Sequence, residues 1–367
     1  MSHPTRTRKS QRTGIRDVGR EAGVSHTAVS MILNGKMAGT PETRERVFQA
    51  ARKLNYRPDA LFRQAVSKRL QGEEGKRTYT KILALLLRTN VYTRTQANDG
   101  YYSGVFAGAC KAAAEAGWNI LLCPHDADTG GLPEVLLDQK ADGVLIESGY
   151  DFNLLSYLTQ QFPCALLNRC SPALNAISVT PNWDRAGFRM VQHAWELGHR
   201  HFVFFQHTLK DENTARARHG QFLALEALGG SLTCPELSRP WPVSPERNEE
   251  VFNAFIDQWL AASPRPTAIL ATDGYCRGLI RAMTARGIRV PEDVSFFGRA
   301  GNFVATSEEP QLTSYIYPVY EIGYTATRLL LETIRSGDPI QSTHVMLEGE
   351  LVRRNSTREI APDSLAP

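Results

Sequence analysis

Between Gly23 and Gly35 the chain reads GVSHTAVSMILNG. Val24, Ala28, Val29 and Ile32 keep the spacing of one helical face, and His26, Thr27, Ser30, Met31 and Asn34 take the other. An imidazole can donate to the N7 or O6 acceptors of purines. A threonine can hydrogen-bond or touch a thymine methyl, and a methionine offers apolar surface alone. A short uncharged face of this kind suits the edges of bases. Other groupings look chemical only in isolation. His199 and His201 in GHRH, and His125, Asp126 and Asp128 in PHDAD, lack a third ligand at recognisable spacing. The six cysteines, Cys110, Cys123, Cys164, Cys170, Cys234 and Cys276, contain no CxxC pair. No P-loop, GxSxG or GxGxxG is present to hold a phosphate or build a nucleophile. The expectation is a binding protein with no catalytic residues, metal or cofactor.

The elements that position this face are legible around it. Ile15 to Ala22 predicts a first helix, Gly23 breaks it, and Ser25 can cap a second that runs to about Leu33. Thr40, Pro41 and Glu42 form a helix start, and Val47, Ala50, Ala51 and Leu54 supply a buried stripe for the third. Helix, tight turn, helix, loop, helix is a helix-turn-helix pattern. Pro58 stops the third helix, 59 to 70 can form a shorter fourth, and QGEEGKRTYT reads as a linker. Residues 1–80 hold 17 Lys and Arg against 7 Asp and Glu, while the remainder holds 25 against 31. A basic head on a mildly acidic body points to a polyanion partner for the head.

Beyond Lys81 the rhythm changes. Seven short apolar runs, ILALLL, NILLC, GVLIE, CALLN, HFVFFQ, TAILA and VSFFG, alternate with helical stretches. Near-continuous apolar strands between helices predict parallel sheets covered on both faces. The 367 residues exceed one ordinary core. Open α/β lobes bind ligands beyond the carboxyl ends of their strands, so a cleft between two lobes is the expected ligand site. The longest clean apolar run, ILALLL, is far short of the roughly 18–20 residues of a membrane helix. No apolar h-region follows the basic N-terminus, so a cytoplasmic protein with reduced thiols, not a membrane or secreted one, is expected.

The stretch IRDVGREAGVSHTAVSMILNGK, followed by TPETRERVFQAARKLNYRPDAL, resembles the head of the lactose-repressor/galactose-repressor (LacI/GalR) family of bacterial regulators. ADGVLIES, LNRCSP, LGHRHFVFF, NTARARHGQF, RPTAILATDG, RGIRVPEDVSFFG and GELVRRNST continue the resemblance in order over about residues 14 to 358. It implies a small all-α helix-turn-helix head plus an α/β periplasmic-binding-protein-like sensor of two doubly wound parallel-sheet lobes. The expected layout is a disordered basic tail 1–13, the DNA-binding domain 14–58, a hinge helix and linker 59–80, a sensor 81–358 and a tail 359–367. The N-lobe is assigned about 81–180 and 316–340, the C-lobe about 181–315 and 341–358.

The resemblance places Ser25, His26 and Thr27 in the first turn of a recognition helix, with Ser30 and Asn34 toward phosphates. Met31 stands where the family commonly has arginine, which reads guanine bidentately. Arg16, Thr43, Arg44, Tyr56 and Arg57 are phosphate-contact candidates. The leucine that wedges into the minor groove in the family is Ala65 here, so Leu61, Phe62 or Val66 must take over the wedge or the DNA bends less. In the sensor, Arg218 matches the family arginine that binds effector oxygens, with Asn213 and Thr214 before it. Tyr101 and Tyr102 match an aromatic pair, and Asn168 a polar strand end. Thr272 and Asp273 replace the usual Asn-Asp pair. GRAGN stands where the family has an acidic turn, bringing Arg299, and Arg88 ends the first strand. This set favours a sugar acid or sugar phosphate over a neutral sugar.

The expected function is a sequence-specific transcriptional regulator, by family default a repressor. It binds a pseudo-palindromic double-stranded operator as a homodimer, and a small carbohydrate-like effector between the lobes controls its affinity. The alternative is an effector-independent or partner-controlled regulator with a vestigial pocket. A solute-binding protein shares the sensor fold but has no helix-turn-helix head.

Overall fold

A helix must satisfy its first amides, and the head carries the groups that do so in its own sequence. The computed structural model describes residues 14–33, 40–54, 56, 79–88, 100–125, 132–138, 140–147, 149–206, 212–230, 232, 235–242, 248–300 and 303–360. Helices α1 (Ile15–Ala22), α2 (His26–Leu33) and α3 (Pro41–Lys53) form the head. Asp17 Oδ2 accepts the Gly14 amide at 2.8 Å, Ser25 Oγ the Ala28 amide at 3.0 Å, and Thr40 Oγ1 the Thr43 amide at 3.3 Å. Gly23, at φ +67°, ends α1 in the left-handed conformation. Val18, Val29 and Val47, one from each helix, are fully buried together with Ile32, Leu33, Ala50 and Ala51. Lys53 Nζ reaches Glu21 at 2.6 Å and ties α3 to α1. The fourth helix expected over 59–70 lies outside the described residues.

The sensor alternates strands and helices: β1 (Ile82–Arg88), α4 (Gly100–Glu115), β2 (Asn119–His125), α5 (Glu134–Leu137), β3 (Gly143–Glu147), α6 (Phe152–Gln161), β4 (Cys164–Leu167) and β5 (Ile177–Pro181). It continues with α7 (Trp183–Glu196), β6 (Phe202–Phe204), α8 (Glu212–Ala227), α9 (Asn248–Ala261), β7 (Ala268–Leu270), α10 (Asp273–Ala285) and β8 (Ser295–Ala300). The last elements are β9 (Thr313–Ile316), α11 (Val319–Ser336), β10 (Thr343–Leu347) and β11 (Glu350–Val352). The N-lobe sheet has the order β10-β5-β4-β3-β1-β2 and is parallel throughout. The C-lobe sheet has the order β11-β9-β8-β7-β6, parallel except for β11 at its edge. Each of the seven apolar runs is a strand. Helices on both faces divide the buried side chains into two clusters per lobe.

Four strands escape the apolar-run rule because their sequences, ISVTP, TSYI, THVML and ELV, mix polar and apolar residues. One of them moves a boundary. Residues 341–347 belong to the N-lobe sheet, not the C-lobe, since β10 pairs with β5 from Thr343↔Ile177 to Leu347↔Pro181. Two smaller corrections follow. Tyr79 and Thr80, assigned to the linker, are held to the N-lobe: Tyr79 donates to the Ile334 carbonyl at 3.0 Å and Thr80 to Asp142 at 2.7 Å. Ile360, assigned to the tail, donates its amide to the Leu197 carbonyl at 2.7 Å. The chain therefore crosses between lobes at three places: after β5, between β9 and α11, and between β10 and β11.

His199, one of the two histidines of GHRH, is core. It is fully buried, its Nδ1 lies 2.9 Å from Thr267 Oγ1, and its ring meets Phe297 edge-on at 5.7 Å. Burial pushes its pKa down to about 4. The unfolded imidazole takes up a proton near pH 6.5 while the folded one does so only near 4, so stability is lost as pH falls between those values. Denaturant unfolding at pH 7.5 and pH 4.5 is expected to show a loss of about 2–3 kcal/mol from this residue, and His199→Gln is expected to show a correspondingly smaller acid loss.

Candidate functional site

The residues predicted for binding fall into two sets, one on the head and one at the strand ends. On α2, Val29, Ile32 and Leu33 turn inward, and Ser25, His26 and Thr27 are exposed. Met31 keeps 37% of its surface exposed beside Thr27, one turn away, and Ser30 is half-buried. The structure thus brings the predicted base-reading residues onto one open face. Arg16 is exposed, while Thr43, Arg44 and Tyr56 are half-buried. Thr43 Oγ1 lies 3.0 Å from Thr40 Oγ1 and takes a donation from Arg46 at 3.5 Å. Arg46 is exposed and was not anticipated; its place on α3 beside Thr43 was the available signal. Asn34, Arg57, Leu61, Phe62, Ala65 and Val66 lie outside the described residues.

The predicted effector residues gather at the carboxyl ends of the strands of both sheets, as an open α/β architecture requires. Arg88 ends β1 and donates from Nη1 to the Gly149 carbonyl at 2.8 Å. Gly149, at φ +106°, adopts a backbone conformation that favours glycine, and an added Cβ would sit a tight 3.0 Å from the Arg88 Cδ. Tyr101 and Tyr102 open α4, both half-buried, their rings edge-to-face at 4.9 Å. Asn168 follows β4 at φ +54°; its Oδ1 is buried and has no hydrogen-bond partner among the described residues. An unpaired buried acceptor at a strand end is a place for a donor to arrive.

From the C-lobe, Asn213 and Thr214 open α8, with Thr214 Oγ1 donating to Asn213 Oδ1 at 3.2 Å. Arg218, one turn on, donates from Nη1 to Gln206 Oε1 at 3.0 Å and to the Ser238 carbonyl, and lies over the Phe222 ring at 5.1 Å. Partial burial lowers the pKa of its guanidinium, which stays charged. Thr272 is half-buried at the start of α10.

Arg299 and Asp273 differ from expectation. Arg299 is only 4% exposed and donates to the Tyr317 hydroxyl at 3.2 Å and to Thr214 Oγ1 at 3.3 Å. Asp273 has no exposed surface, and its Oδ1 accepts the Ser314 hydroxyl at 2.7 Å. Both are buried, Arg299 holding Thr214 and Asp273 accepting from Ser314. Their partners come from α8, β9 and the crossing after it, which no local pattern reveals.

Three further polar residues at strand ends were not anticipated. Gln206 follows β6, Glu147 ends β3 almost fully buried, and Tyr150 lies beside it. Burial raises the Tyr150 pKa, and the Glu147 carboxylate adds to the effect. Glu147 and Gln206 end apolar runs and look like the last residues of core strands. The Cys170 amide, on the N-lobe side, donates to Glu212 Oε2 of the C-lobe helix α8 at 3.2 Å. Glu212 lies 3.9 Å from Arg216, which pairs with Asp184 at 2.8 Å. Among the described residues no cluster of His, Cys, Asp and Glu could hold a metal ion, and no helix is long and apolar enough to cross a membrane.

Residues 14–59 match the model of bacterial regulatory proteins of the lacI family, and residues 191–357 a periplasmic binding protein-like domain. The chain is 27% identical to catabolite control protein A of Priestia megaterium over 94% of this chain and 99% of that one. It is 26% identical to the transcriptional repressor PurR of Vibrio cholerae, over 94% and 98%. It is also 26% identical to the ribose operon repressor of Haemophilus influenzae, over 93% and 98%. Among solved structures, the transcriptional regulator CelR in complex with cellobiose aligns at a TM-score of 0.67 and 23% identity, covering 94% of this chain and all of that one. These relatives are regulators, not enzymes.

The buried position of Arg299 has a measurable consequence. A lysine cannot reach Tyr317 and Thr214 together, so Arg299→Lys is expected to cost about 1–3 kcal/mol in denaturant unfolding. Unchanged stability would place Arg299 in the cleft lining after all.

Proposed function

We propose a specific mode of action for this chain, which belongs to the lactose-repressor/galactose-repressor (LacI/GalR) family of DNA-binding transcriptional regulators: it represses by binding a pseudo-palindromic operator as a homodimer, and an anionic sugar derivative between the lobes sets its operator affinity. One helix-turn-helix head reads a half-site, so a palindromic operator needs two. The work is done on cytoplasmic, nucleoid DNA. Ser25, His26, Thr27 and Met31 contact base edges, with Ser30 and Asn34 toward phosphates. Arg16, Thr43, Arg44, Tyr56 and Arg57 fix the head on the phosphates, and Leu61, Phe62 and Ala65 belong to the hinge.

The observation that carries the effector reading is the state of the arginines at the strand ends. Arg88 donates to a carbonyl, and Arg218 to a carbonyl and an amide oxygen. Among the described residues neither Arg218 nor the buried Arg299 has a carboxylate within ion-pair distance. The Arg218 guanidinium, half-buried and held by neutral acceptors, keeps its charge available to a carboxylate or phosphate. Tyr101 and Tyr102 supply a flat face for a ring, while Asn168, Asn213, Thr214 and Thr272 supply polar groups for hydroxyls. Repression and sugar binding are properties that relatives' names carry: the ribose operon repressor, and the regulator seen with cellobiose.

Calorimetry with an aldose, its aldonate and its phosphate ester tests this. Binding of the acid or phosphate, weakened at least about tenfold by Arg218→Met, is expected; tight binding of the neutral sugar alone contradicts the anionic reading. The base-reading assignment is checked by selecting operators from random sequence. The wild-type protein is expected to show no guanine requirement at the step Met31 faces, and Met31→Arg to gain one worth about 1–3 kcal/mol.

A further inference from the structure

Tyr157 lies on the middle of α6 and packs against two cores. It rests on the N-lobe cluster of Leu136, Leu154, Leu155 and Leu158, and on the core of the head. Its ring meets Phe48 of α3 edge-on, with centroids 5.9 Å apart at 60°. The head is therefore seated directly on the sensor, through a contact separate from the chain that joins them. The seat uses α3 and leaves His26, Thr27 and Met31 of α2 exposed. Docking is compatible with reading DNA and does not mask the reading face.

The other end of α6 is anchored at the cleft. Asp151 caps it, accepting the Leu154 amide at 2.9 Å. The two residues before the cap are each gripped by an arginine: Arg88 donates to the Gly149 carbonyl and Arg169 to the Tyr150 carbonyl. Tyr150 is itself only 2% exposed and packs on the N-lobe core. A packed helix moves as a rigid piece, and a shift at its start is carried to its middle. Arg88 is also one of the groups placed to meet a ligand anion. A ligand carboxylate competes with the Gly149 carbonyl for that guanidinium.

We propose that α6 is the lever by which the cleft acts on the DNA-binding head: the Arg88–Gly149 bond sets the start of the helix, and the Tyr157–Phe48 contact transmits its position to α3. The regulatory use of the lever rests on the effector reading above, but the lever is tested without any ligand or operator. Hydrogen exchange is followed in the full-length chain for wild type, Tyr157→Phe, Tyr157→Ala, Arg88→Met and the Tyr157→Ala/Arg88→Met double variant.

Tyr157→Ala is expected to speed exchange of the α1–α3 amides about two- to tenfold, the range set by one aromatic pair, with Tyr157→Phe like wild type. Arg88→Met is expected to speed the same head amides. The double variant is expected to be no faster than Tyr157→Ala alone, because both act through one contact. Exchange in β4 and α11 reports whether the sensor is intact. Should Tyr157→Ala loosen those elements, Tyr157→Leu, which keeps the apolar fill, is compared in its place. Head exchange unmoved by loss of the Tyr157 ring overturns the seat. Head exchange unmoved by Arg88→Met, or an additive double variant, overturns the lever. Neither result touches the calorimetric test of the cleft, and a failed calorimetric test leaves the lever standing.

Discussion

Everything in the sensor depends on one chain passing three times between two sheets. It crosses after Pro181, again through Ile316, Tyr317 and Pro318, and a third time at Glu348 and Gly349. The crossings are tied to one another: the Asn182 amide donates to the Leu347 carbonyl and the Gly349 amide to the Tyr315 hydroxyl, each at 2.9 Å. Three crossings tied in this way hold the two lobes to each other. Arg299 adds the middle crossing to the cleft floor, since Tyr317 is one of its two acceptors and Thr214 the other.

Charge is divided along the same chain. The head carries a surplus of Lys and Arg, yet the face that α2 presents has none. Attraction to phosphates and discrimination between bases are separate tasks, and separate residues serve them. Under the function proposed above, specificity falls to hydrogen bonds from His26 and Thr27 and to the apolar surface of Met31. In the sensor the arrangement is reversed: arginines stand at the strand ends, and the carboxylate of Asp273 is hidden beneath them against Ser314.

Local patterns carried much of this. The three head helices follow from caps and periodicity, and seven strands from apolar runs, because both signals are written within ten residues. The strands ISVTP, TSYI, THVML and ELV are less apolar, and β10 is a partly exposed edge; their pairing depends on neighbours far along the chain. For that reason residues 341–347 read as the wrong lobe. The same holds in the site. Asn168 follows β4, Tyr101 opens α4 and Arg218 lies in the first turns of α8, all on segments that leave the carboxyl ends of strands. Arg299 and Asp273 are buried by partners 85 and 41 residues away, and Glu147 is hidden inside an apolar run. The seat of Phe48 on Tyr157 joins two domains and leaves no trace in either sequence.

The account stands or falls on whether the cleft and the head share a free energy. The direct measurement is the affinity of the full-length protein for its selected operator, at one salt concentration, with and without a saturating sugar acid or phosphate that binds the cleft. A change of about 5–150-fold, absent in Arg218→Met, is the predicted result. Equal affinity with the cleft filled and empty would contradict it.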